Sequence, residues 1–73
     1  MWTAKTVKAE LPQVKIRIGS VVSWARVTGR ANQFATVSVT NDKPRSGVPL
    51  WLDFQFAWET IANALNADIA LTV

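Results

Sequence analysis

Residues 48–66 read VPLWLDFQFAWETIANALN. Two periods meet in this stretch. Over 48–56, Val48, Leu50, Leu52, Phe54 and Phe56 alternate with Pro49, Trp51, Asp53 and Gln55. Apolar residues at every second position mark a half-buried strand. From residue 57 the spacing changes: Trp58, Ile61, Ala62 and Leu65 fall on one face of a helix over 57–66. Glu59 lies in its first turn, where the helix dipole favours an acid, and Asn66 is a suitable C-terminal stop. A strand running into a helix is the outcome. Trp51 is the one apolar residue on the polar side of that strand, and it raises the question of what a tryptophan does on a wet face.

The same alternation recurs upstream. In VKIRI (14–18), Val14, Ile16 and Ile18 oppose Lys15 and Arg17. In VVSWARVT (21–28), Val21, Ala25 and Val27 are expected inward, with Trp24, Arg26 and Thr28 outward. In FATVSVT (34–40), Ala35, Val37 and Val39 oppose Phe34, Thr36, Ser38 and Thr40. Gly19-Ser20 interrupts the first two runs, and either one long strand bent at Gly19 or two separate strands fits. GRANQ (29–33) is turn-like, NDKPRSG (41–47) is a loop, and DIALTV (68–73) is a short closing strand. TAKTVKA (3–9) has β-branched residues and weak alternation, which suggests a further strand before Pro12. The fold class expected is mainly β with one helix, a single domain over residues 1–73. Its form is a small OB-like β-barrel, with an SH3-like barrel or an open β-sheet plus helix as the alternatives.

A chain of 73 residues buries only about 60% of its unfolded surface. It contains no Cys and no His, which removes disulfides and metal sites built on thiolate or imidazole. No cofactor is expected, and a homo-oligomer is the expected source of additional buried surface. Apolar residues make up 49% and charged residues 18%, the balance of a folded domain. No apolar run reaches the roughly 18 residues of a membrane span. The start, MWTAKTVKAELP, carries charges where a signal peptide needs apolar residues. A cytoplasmic protein without a membrane partner is the expectation. Catalysis is not expected either. His, Cys and Tyr are absent, the carboxylates are not paired, and Ser20, Ser23, Ser38 and Ser46 have no His to activate them. Gly19, Gly29 and Gly47 are too far apart for a phosphate loop.

Charge is unevenly placed. The net charge is +3, yet all eight basic residues lie within residues 1–45, against Glu10 and Asp42. Residues 46–73 hold Asp53, Glu59 and Asp68 with no base. A basic first part suits a polyanion. On the outward side of the strands, Trp24, Phe34 and Trp51 share a face with Lys15, Arg17 and Arg26. Single-stranded nucleic acid is bound by such a combination: bases stack on aromatic rings while cations track the phosphates. Arg30 and the loop residues Lys43 and Arg45 extend the basic set. The function expected is non-enzymatic binding of single-stranded DNA or RNA with low sequence specificity. The other reading is a small protein–protein interaction or inhibitor module, whose aromatic face forms an oligomer or partner interface. Trp58, on the helical stripe, is expected in the core.

The order of elements in residues 31–73 resembles that of bacterial single-stranded DNA-binding proteins. Phe34, Ala35, Val37 and Val39 match a second strand, Trp51 and Phe56 a third, and Trp58, Ile61, Ala62 and Leu65 a helix ahead of a closing strand. The resemblance implies an OB-fold and makes Trp51 a base-stacking position. This chain departs from it at Asn66-Ala67-Asp68, where that family has Lys-Gly, and in lacking a fifth strand and an acidic tail after residue 73. Either residues 3–9 or a strand of another subunit is then the source of the missing barrel strand.

Overall fold

The computed structural model describes residues 1–41 and 44–73. Its elements are α1 (Ala4–Glu10), β1 (Val14–Ile18), β2 (Val21–Arg30), β3 (Phe34–Thr40), β4 (Trp51–Ala57), α2 (Trp58–Ala67) and β5 (Leu71–Thr72). The protein is mainly β. One five-stranded sheet, in the order β4-β3-β2-β1-β5, curls into a half-barrel with two short helices. This architecture is compatible with a small OB-like barrel. β1 to β4 form an antiparallel meander, and β5 lies parallel to β1, pairing Ile16 with Leu71.

Residues 3–9 form a helix and not the expected strand, so the fold has two helices where one was expected. The local chemistry explains the difference. Thr3 is the N-cap, and its hydroxyl accepts from the Thr6 amide at 3.2 Å, while the Thr3 amide donates to Thr6 Oγ1 at 2.8 Å. This is a capping box with threonine where glutamate or glutamine is usual. Val7 is fully buried, and Leu11 closes the helix in the left-handed region, its amide donating to the Val7 carbonyl at 2.9 Å. Residues 3–9 therefore add no strand to the sheet. The fifth strand is β5, shorter than the expected 68–73 because Asp68 (φ 54°) ends α2 in the left-handed region.

Gly19-Ser20 resolves into a tight turn between two strands, with Ile18 paired to Val21. Gly19 takes a positive φ of 63° there, which a two-residue hairpin requires and glycine supplies without strain. β2 runs to Arg30, two residues beyond the expected end, through a bulge at Thr28 between the Val27–Val37 and Gly29–Thr36 pairs. β4 begins at Trp51, so Val48 and Leu50 belong to the exposed loop before it.

The core lies between the inner face of the sheet and the helices. Val14, Ile16, Ala25, Val27, Ala35 and Val37 come from the strands, and Val7, Trp58, Ile61 and Ala62 from the helices. Leu52, Phe54 and Phe56 of β4 and Leu65 of α2 pack against this cluster and stay partly exposed. All of these except Val7 are expected inward positions. Val21 is also on the inner side by alternation, yet 59% exposed and outside the core cluster.

Removing the Thr3 hydroxyl tests α1 directly. Thr3→Ala is expected to lower unfolding free energy by about 0.5–2 kcal/mol, read as an earlier urea midpoint. A strand at 3–9 would show no such dependence on a cap.

Candidate nucleic-acid interface

The alternation that buries one side of the sheet leaves the other open. On this open face Lys15 stands opposite Trp24 across β1 and β2, and Arg17 opposite Val22. Arg26 faces Ser38, which in turn faces Asp53, so one row crosses β2, β3 and β4. Trp51 sits beside Thr40 on the next row of β3 and β4. Trp24 is 63% exposed and Trp51 45% exposed. They lie on strands separated by β3, about 10 Å apart at two strand spacings.

A shallow cavity of about 370 Å³ opens on this face, lined by Arg26, Thr28, Ser38, Trp51 and Asp53. Its floor is polar. Ser38 Oγ donates to Asp53 Oδ1 at 2.5 Å and lies 2.7 Å from Thr28 Oγ1. A serine hydroxyl has one proton, so with Asp53 as acceptor the second bond is donated by Thr28. Ser38 is 6% exposed and is the one buried polar side chain among the described residues. Arg26 and Asp53 form no ion pair with each other among the described residues. The cavity thus offers an indole face, a guanidinium and a carboxylate held by a hydroxyl chain. Its volume is at the small end of ligand pockets.

The other expected site residues are placed as follows. Arg17 is exposed on the open face. Lys15 belongs to that face by register, but its Nζ reaches over the sheet edge to Asp68 Oδ1 at 3.1 Å. Such a surface pair contributes little to stability, but it directs the ammonium away from Trp24. Arg30 leaves the face altogether. The extra residue of the bulge puts it in register with Ala35, an inner-side position, although it is exposed at the strand end. Phe34 is 50% exposed and in register with Ala57. It stands at the far end of β3 from Thr40, roughly 20 Å along the strand, and does not join the two tryptophans. Arg45 is in the exposed β3–β4 loop, its carbonyl accepting from the Val48 amide at 2.9 Å. Lys43 lies outside the described residues. Trp58 is core, as its spacing implies, at 2% exposure.

The site gains three members that sequence reading did not assign to it, Thr28, Ser38 and Asp53. All three are outward positions by alternation, and that signal was present. What the sequence did not carry was the register that aligns them. Among the described residues no group of three His, Cys, Asp or Glu is placed to hold a metal ion. No helix among them is long and apolar enough to cross a membrane. Comparison with family models, curated proteins and solved structures gave no match.

Ser38→Ala breaks the hydroxyl chain. Thr28 and Asp53 are exposed and turn to water, so the expected cost is about 1 kcal/mol, measured by chemical denaturation.

Proposed function

We propose that the protein binds single-stranded nucleic acid, DNA or RNA, on the open face of the sheet, without catalysis and with low sequence specificity. The observation that carries this reading is the pairing of Trp24 and Trp51, exposed on alternate strands, with the Arg26 guanidinium in the cavity beside Trp51. Bases stack on the two indoles, each stack contributing about 1–3 kcal/mol. Arg26, Arg17 and the loop cation Arg45 neutralise phosphates. Thr28, Ser38 and Asp53 meet the polar edge of a stacked base. The resemblance of residues 31–73 to bacterial single-stranded DNA-binding proteins supports the same role for Trp51. A duplex is disfavoured, because α2 carries Glu59 as its only charge and a groove-reading helix is normally basic.

Tryptophan fluorescence tests the proposal. Trp58 is buried and Trp2 packs partly buried against the core, so these two give the background, while Trp24 and Trp51 report contact with bases. Titration with a short oligothymidylate or oligouridylate is expected to quench emission at low salt. With about three phosphate contacts, the affinity falls as roughly the second power of salt concentration. Trp51→Ala is expected to weaken binding by about 1–3 kcal/mol with the circular dichroism spectrum unchanged. Absence of quenching at low salt would overturn the proposal and turn the aromatic face into a protein-docking surface.

A further inference from the structure

The sheet order ends at β4, so among the described residues one side of this strand has no neighbouring strand. The other end of the sheet is β5, only two residues long. β4 spans seven residues and pairs with β3 in unbroken register from Phe34–Ala57 to Thr40–Trp51. Natural sheets protect a long edge with lysine, proline, a bulge or inward charge. β4 has none of these. Pro49 precedes it, the bulge lies on β2, and no lysine or arginine occurs between Trp51 and Ala57. Its inner side chains Leu52, Phe54 and Phe56 are only partly buried, although they pack on the core. The half-barrel is therefore short of cover along β4.

We propose that β4 is the dimer interface, pairing antiparallel with β4 of a second copy of this chain about a two-fold axis at Phe54. The strand is self-complementary in this register. Leu52 faces Phe56 of the second copy, Phe54 faces its equivalent, and Asp53 faces Gln55. Asp53 is the only charge in β4, and a register centred on it would set two carboxylates against each other, which is unfavourable. Arg26 shares the open face with Asp53 but lies two strands from the seam, and Lys15 and Arg17 lie one strand farther. The paired strands close the row of backbone groups that β4 leaves open and cover the outer flanks of the three apolar side chains. The two sheets become one of ten strands. If the nucleic-acid reading holds, the two open faces join, and each copy contributes Trp51 to one continuous surface.

The dimer is tested without nucleic acid, so its failure is separate from failure of the binding reading. Sedimentation equilibrium of the full chain at tens of micromolar is expected to give twice the chain mass. Gln55 is exposed, so charge there is not expected to disturb the monomer. Gln55→Asp places two like-charge pairs across the seam and weakens the dimer severalfold. Gln55→Lys sets opposite charges against Asp53 and tightens it by a similar factor. Because the chain has no cysteine, the double variant Asp53→Cys, Gln55→Cys is expected to form a covalent dimer on mild oxidation. A monomer at every concentration overturns the proposal and leaves the edge to the strand of a different protein. A dimer indifferent to both Gln55 variants, with no cross-link, overturns it in favour of another face.

Discussion

One side chain ties the parts of this small fold together. The Trp58 indole is buried, and its Nε1 donates to the Ala31 carbonyl at 3.0 Å. The backbone amide of the same residue donates to the Gln33 carbonyl at 3.3 Å. Both acceptors belong to the loop between β2 and β3, so the first residue of α2 holds the turn of that hairpin. Lys8 lies over the ring, its ammonium 5.5 Å from the centroid and 3.1 Å from the Asn32 carbonyl. α1, the hairpin loop and α2 thus meet at one residue. A cation over an indole contributes about 0.5–1 kcal/mol where exposed. The larger effect is geometric: α2 is held against the inner side of the sheet, where it packs with α1 on the core.

The consequence is a sheet with two unlike sides. Cover on the inner side comes from both helices, and no helix or strand among the described residues covers the outer side of β1 to β4. Alternation then sorts the residues without further help. Val14, Ile16, Ala25, Val27, Ala35, Val37, Leu52, Phe54 and Phe56 go inward, and Arg17, Trp24, Arg26 and Trp51 go outward. The cavity beside Trp51 owes its polar floor to register alone, since Thr28, Ser38 and Asp53 come from three different strands.

Where a single period ran without interruption, the sequence was legible. β1 and β3 occupy the expected residues, α2 is displaced by one residue, and the inward positions Ile16, Val37, Trp58 and Ile61 are buried as expected. α1 was not legible. Seven residues give too few turns to establish a helical period, and Thr3 and Thr6 replace the usual capping pair. Arg30 was misplaced for a different reason. A bulge adds one residue to one strand and inverts the side of everything beyond it, and Thr28 carries no mark of that role. Gly29 hints at it, for a Cβ there would come within 3.0 Å of Thr36 Oγ1. Lys15 illustrates a third limit: its strand position was right, but its partner Asp68 is brought near by the return of the chain after α2.

The two-residue strand β5 also bears on how the chain acquires its structure. β1 to β4 are joined by successive hairpins, whose contacts are close in sequence and form early. β5 joins Leu71 to Ile16, and Trp2 exchanges two hydrogen bonds with the Asn66 side chain, at 2.6 and 2.7 Å. These contacts close the longest loops in the molecule and have the largest entropy to overcome. Loop-closure entropy alone thus favours forming the meander before the contacts of β5 and Trp2.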